Sequence, residues 1–452
     1  MIQHLLITAT MLIILLLTAT GTAQVSVTIY NNNIGLVREV RSTEFKKGIQ
    51  KFKFIDVAAL IKPETVRFSS LTAPSDLTLL EQNFEYDLVG TTSLLQKHLN
   101  QSIIATTENG PAFNGRLLNI SEQDIILELQ DKTIKVVKAA ALETIAFPSL
   151  PAGLITRPTL AWTLDCKKKS SHQTEISYIT QGLTWNADYV ALISNDETGL
   201  DLSGWITINN TSGTAYQDAT LKLVAGDVHL VRPEARISRR YKNLSVAESS
   251  APPQFEEKPF FEYHLYTLQR KATIENRQLK QISLFQPVQA ASKKIYTYDT
   301  RRDQKKISVT LEFKNSSSDR PGSALPAGTV RVYKRDDDGS QIFIGEDHID
   351  HTPLEETVRL HTGDAFDLRA ERIVTEAHKI SSRSRRETID ITLRNHKKTA
   401  VTIAVVEHFR GDWKIINKTA PITKQDAYKT EFEARVKPES TTVVNYTVVY
   451  TW

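Results

Sequence analysis

Cysteine is nearly absent. Cys166 is the only one in 452 residues, so no disulfide can form within the chain and the fold must rest on core burial. A lone thiol acts as a nucleophile only with a lowered pKa and a positioned partner. Its neighbours Lys167–Lys169 are cationic, but sequence assigns no histidine to it, and Cys166 is read as structural. A surplus of one charge is lacking as well. Basic residues number 56 and acidic ones 52, a formal charge of +4, too small and too dispersed to indicate nucleic acid or an anionic membrane. The short basic run Arg383-Ser384-Arg385-Arg386 reads as a solvated turn or strand edge. No glycine-rich phosphate loop, G-x-S-x-G, H-E-x-x-H or C-x-x-C occurs. These absences exclude the enzyme classes that a local motif betrays. A triad assembled from distant loops leaves no such trace.

Long hydrophobic runs are confined to the N-terminus. Leu5–Leu17 is almost wholly apolar, Thr18–Ala23 turns to small residues, and Gly21 and Ala23 suit a cut before Gln24. That layout predicts a secretory signal peptide over 1–23. The run is shorter than the roughly 20 apolar residues of a membrane-spanning helix. The mature chain is therefore expected to be exported, to the periplasm, cell surface or extracellular space, with no membrane span.

What the chain has in abundance is alternation with a period of two. Ile307, Val309, Leu311 and Phe313 alternate with Ser308, Thr310 and Glu312; Ile389, Ile391 and Leu393 alternate with Asp390, Thr392 and Arg394. Successive strand side chains point to opposite faces, so each run predicts a strand with one buried side. Such runs belong to antiparallel sheets with one wet face. Three strands end alike: WITINNTSGTAY (Trp205–Tyr216), LEFKNSSSDRPG (Leu311–Gly322) and ITLRNHKKTA (Ile391–Ala400) each run into an Asn and a polar turn. The expected fold is all-β, with antiparallel immunoglobulin-like β-sandwich domains. A β-domain over 24–92 precedes a small SH3-like or Sm-like barrel over 93–148, and the sandwich region fills 149–452. Helix is expected only around Thr91–Asn100, and an exposed connection at about 234–259.

Two places could carry chemistry. In GDVH, Asp227 and His229 share a face of a probable strand, and a carboxylate beside an imidazole can orient it for base catalysis or metal binding. GEDHIDHTP (Gly345–Pro353) gathers two histidines and three carboxylates. As a regular strand it places Glu346, His348 and Asp350 on one side and Asp347, Ile349 and His351 on the other. His348 and His351 then diverge, and strand framework is the favoured reading over a metal site. Upstream, Asp338-Gly339 suits a hairpin turn, and Arg410-Gly411-Asp412 reads as a Gly-Asp hairpin turn. No cofactor is expected.

Longer segments carry a family resemblance. LTWNADYVALISNDETGLDLSGWITINNTSGTAYQDATLKLVAGDV (Leu183–Val228), FFEYHLYTLQRKATIENRQLKQISLF (Phe260–Phe285), GTVRVYKRDDDGSQIFIGEDHIDHTP (Gly328–Pro353) and VVEHFRGDW (Val405–Trp413) follow one another in this order. Together they resemble the exported bacterial proteins grouped as domain of unknown function 4139, distantly akin to the mucoidy-inhibitor-A group. The resemblance implies a secreted or periplasmic β-protein without an established activity, and brings no catalytic residues. The resulting expectation is a non-enzymatic structural or interaction protein whose partner is an envelope or extracellular protein or polymer, with no nucleic acid. A hydrolase or metal-dependent enzyme with a loop-end site is one alternative. A carbohydrate-binding module stacking sugars on Trp185, Trp205 or Trp413 is another, although Trp185 and Trp205 sit among apolar residues and are expected in the core.

Overall fold

Strand follows strand through nearly the whole of the computed structural model, which describes residues 23–226, 228 and 254–452 apart from 88, 108–109, 122, 150, 152–153, 304 and 317–322. One α-helix, Thr91–Lys97, and three short 3-10 turns interrupt the strands among the described residues. None of these helices is long and apolar enough to cross a membrane. The all-β fold read from alternation is the fold observed. The predicted signal peptide lies outside the described residues, except for Ala23.

The chain divides into two units, one built on Leu36–Thr180 and the other on Val27–Gly35 with Gln181–Trp452. In the first, strand Thr159–Cys166 lies between Gly48–Ile55 and Leu77–Glu85 in an antiparallel sheet. Sequence reading draws its boundary near 149 and gives this strand to the later sandwich; its pairing gives it to the first unit. Trp162 is the reason. Its buried indole packs on Phe52, Phe54 and Phe68 and donates Nε1–H to Gln82 Oε1 at 2.9 Å. A large apolar ring with a satisfied polar edge is a strong core anchor.

The insert after the helix is a five-stranded antiparallel sheet, ordered Leu142–Ala146, Ser102–Thr107, Phe113–Ile120, Asp124–Leu129, Ile134–Lys138. Leu95 of the helix packs into its core with Ile103, Leu117, Ile125, Leu127 and Val137. No pairing among the described residues joins the two outer strands, so the expected barrel is an open sheet. Each outer strand is five residues long, and a 3-10 turn at Ala139–Ala141 links them without a shared ladder.

The second unit is organised by one 22-residue strand, Gln278–Asp299. Its first half pairs with Gly199–Asn210, and its second half with Ser308–Lys314 and Val401–His408. Two parallel pairings join the antiparallel ones. Tyr189–Ile193 runs parallel to Val330–Lys334, and Tyr296–Asp299 parallel to Ile403–Val406. Long crossovers separate both pairs in sequence, as parallel neighbours require. Toward the C-terminus the sheet containing Val401–His408 and Lys429–Val436 packs on a four-stranded sheet of Leu368–Ser381, Ser384–Asn395, Ser440–Thr451 and Asp412–Lys418. Tyr298, Val405 and Phe432 from one sheet meet Ile389, Leu393 and Tyr446 from the other in a β-sandwich core. The Arg410-Gly411-Asp412 turn is a corner rather than a hairpin. The strand before it pairs with Lys429–Val436, and the strand after it with the other sheet. Gly411, at φ 68°, supplies the left-handed backbone of that corner.

The three recurrent strand-end asparagines perform one task. Asn210 Nδ2 donates to the carbonyls of Thr214, Ile274 and Glu275 at 2.9, 3.2 and 3.0 Å. Asn395 Nδ2 reaches those of Thr399, Val436 and Lys437 at 2.8, 3.4 and 2.9 Å. Asn315 Nδ2 reaches Ser323, Thr352 and Pro353 at 3.2, 3.3 and 3.0 Å. All three asparagines are buried. Each ties its own turn to a second segment, with two amide hydrogens shared among three acceptors.

One ion pair crosses the C-terminal sandwich. Arg372 Nε donates to Glu407 Oε1 at 2.7 Å, and the carboxylate is only 2% exposed. Burial opposes the guanidinium's charge, but the Glu407 charge holds its proton more firmly than usual. Burial, reinforced by that carboxylate, pushes the Tyr298 phenol up to about 12. Burial, with Glu387 and Glu407, pushes Tyr450 up to about 12 as well. A phenol held protonated above its ordinary value of 10.0 contributes stability that is complete below about pH 10 and lost as pH rises through about 12. Alkaline titration should therefore show a late tyrosinate step that coincides with loss of near-ultraviolet dichroism. Full tyrosinate absorbance near pH 10 with the fold intact would contradict this.

Candidate functional site

Of the residues singled out by sequence, those described gather into no shared site. Asp227 and His229 lie outside the described residues. Glu346, His348 and Asp350 fall on or just beyond strand Gln341–Ile349, which carries a register shift opposite Val332/Tyr333. Gly345 sits there at φ 155°; from Gly345 to Ile349 the register against Gly328–Val332 is regular, and Glu346 and His348 fall on the same side. Glu346 Oε2 lies 3.4 Å from Arg331 Nε. His348 Nε2 is 3.8 Å from Asp350 Oδ1, and the Asp350 side chain is 77% exposed. The neighbouring polar groups serve the backbone: Asp347 Oδ2 accepts from His361 N at 2.7 Å, and His351 Nδ1 from Ala327 N at 2.9 Å. Among the described residues no three such side chains stand where they could share a metal ion.

Two other residues weighed from sequence can be placed. Cys166, for which spacing offered no partner, has His172 Nε2 at 3.9 Å from Sγ. That imidazole is buried between Ser170 Oγ and Ser70 Oγ, each at 2.8 Å, and the thiol is itself buried. The arrangement braces the connection from Thr159–Cys166 to Ser170–Gln181, strands of two different sheets. Trp205, expected in the core, is 39% exposed, whereas Trp185 is buried. Strand parity explains it: Leu200, Leu202, Ile206 and Ile208 fill the inner face, and odd-numbered Trp205 takes the outer one with Asp201 and Thr207. Trp413 is stacked on Phe409 with centroids 4.3 Å apart, and its Nε1 donates to Ala427 O at 2.8 Å.

The group that does converge was not marked by any motif. Where the long strand passes from one partner set to the next, a cleft of about 200 Å³ is lined by Glu197, Lys294, Lys334, Lys397 and Tyr296, with apolar walls that include Ile193, Val309, Leu311 and Ile344. Each element delivers its residue for a local reason. The parallel pairing sets Lys334 opposite Ile193. Alternation along Gln278–Asp299 puts Lys294 and Tyr296 on one face. Lys397 sits on the turn that Asn395 organises, since Asn395 Oδ1 accepts from Lys397 N at 2.9 Å.

Glu197 is presented by a tightly determined turn. Ser194 Oγ and Thr198 Oγ1 each donate to the Asp196 carboxylate at 2.6 Å, and these hydroxyls hold its pKa down to about 2. Glu197 follows with φ 61°, a left-handed conformation uncommon outside glycine and one that clusters at functional sites. Its two oxygens engage Lys294 and Lys334. Burial opposes ionisation of Glu197, but these two lysines keep its carboxyl below the usual range. Burial likewise opposes the Lys294 charge, and Glu197 and Tyr296 outweigh it. Two ammonium groups lie near the Tyr296 ring, with Lys294 Nζ 5.7 Å and Lys397 Nζ 5.8 Å from its centroid. A partly buried cationic patch with apolar walls can hold an anion and orient whatever it is attached to.

No protein-family model matches the chain, and no curated protein matches it.

Proposed function

We propose that the protein is an exported, non-enzymatic interaction protein of the cell envelope or extracellular space, of the kind that its ordered motifs resemble. The observation that carries the binding reading is the lysine-lined cleft. Its cations are preorganised by Glu197 and by a turn whose conformation is over-determined, and it opens on a rigid sheet framework rather than a helix or tail. Preorganised charge beside apolar surface favours recognition, because little ordering is left to be done on binding. The export reading rests on the charge-poor apolar N-terminus and its small-residue cut site.

The test is affinity capture from envelope extract with full-length protein, alongside a hydrolase substrate panel. A specific partner retained through salt washes, with no turnover, is the expected outcome. Clear hydrolysis with nothing captured would overturn the proposal.

A further inference from the structure

We infer that the cleft binds a monocarboxylate carried on a short apolar body, with Lys397 as the cation that receives it. This rests on the binding reading above and names its ligand class. Three ammonium groups, Lys294, Lys334 and Lys397, face the carboxylates of Glu197 and Asp367, the latter 4.0 Å from Lys397 Nζ, which leaves one positive charge. One negative charge neutralises the site. A phosphate monoester would bring close to two and crowd the Glu197 carboxylate.

The lysines are not equivalent. Glu197 occupies Lys294 and Lys334 with a direct contact to each of its oxygens. Lys397 has a long contact to Asp367 and a ring neighbour, and its side chain is 29% exposed. It is the ammonium with donors to offer an incoming carboxylate. The walls set the rest of the ligand. Ile193, Val309, Leu311 and Ile344 suit an aliphatic or aryl body and offer it no hydrogen bonds. At about 200 Å³ the space falls below the roughly 300–1,000 Å³ of pockets for drug-sized ligands. It accommodates a terminal group. Two sources carry that chemistry: a free small carboxylic acid, or the acidic side chain or chain end of a partner polypeptide.

Calorimetric titration of the full-length protein separates these. The probes are isocaproate, isocaproamide, isopentyl phosphate, and a peptide ending in a free leucine carboxylate beside its amidated twin. The acid should bind and the amide should not, with the phosphate at least about tenfold weaker. Lys397→Met should weaken the acid at least about tenfold while melting at the wild-type temperature, and Lys397→Arg should restore most of the affinity. A free-ended peptide that outbinds isocaproate assigns the site to a partner chain, and the reverse order to a small acid. Equal binding of acid and amide, no acid binding at millimolar concentration, or an unaffected Lys397→Met would overturn the inference. An envelope partner captured by a protein that binds no acid would sink the cleft alone, and carboxylate binding with no envelope partner would sink the interaction reading alone.

Discussion

Asn210→Asp should cost at least about 4 kcal/mol of unfolding free energy, read as a fall in the urea midpoint. The substitution changes one atom's identity and almost no volume. It removes the Nδ2 donor to Thr214, Ile274 and Glu275, and places an oxygen against three carbonyls. An unsatisfied buried carbonyl costs about 1–3 kcal/mol, and a carboxylate facing carbonyls adds desolvation of its own charge. Asn210→Ala should cost less, because it leaves the carbonyls unpaired without adding a repelling oxygen. Asn395→Asp should behave like Asn210→Asp. If the Asp variants unfold with the same midpoint as wild type, the asparagines are turn residues and nothing more.

The second large effect is expected at the ion pair between the sheets of the C-terminal sandwich. Arg372→Met should destabilise the protein by about 3 kcal/mol or more, because it strands the Glu407 carboxylate in the core. Glu407→Gln should cost distinctly less. The Arg372 side chain it leaves behind is 26% exposed and can still reach water, whereas Glu407 is 2% exposed. The double variant Arg372→Met with Glu407→Leu should recover most of the loss, since an apolar pair of similar volume replaces the buried charges well. Equal midpoints for the two single variants would show that burial asymmetry does not govern this pair.

These effects also mark how far the sequence could be read. Parity along single strands was legible, as Ile389, Ile391 and Leu393 show, because one residue's burial predicts that of the residue two away. The recurrence of strand-end asparagines was visible too, although the carbonyls they bind lie up to 65 residues away and leave no local mark. Trp205 was within reach of the same parity rule, and its apolar neighbours obscured it. The open edge of the insert was not legible, since closure depends on whether two short outer strands meet. In GEDHIDHTP the register from Gly345 to Ile349 is regular, and the shift just upstream of it leaves no local mark in the sequence.

The cleft was hidden most thoroughly. Glu197, Lys294, Lys334 and Lys397 come from four separated segments, and each alone reads as a surface charge. Only the parallel pairing of Tyr189–Ile193 with Val330–Lys334 and the mid-course change of partners along Gln278–Asp299 bring them together. The one local hint was SNDETG (Ser194–Gly199), whose Ser, Asp and Thr are the residues of a self-bonded turn.

Competitive elution tests the central claim most directly. A partner captured from envelope extract on full-length protein is challenged with isocaproate and, in parallel, with isocaproamide at equal concentration. Release by the acid and retention under the amide is the predicted result. Retention under both of a partner whose capture Lys397→Met abolishes, or equal release by both, would contradict a cleft that works by receiving a carboxylate.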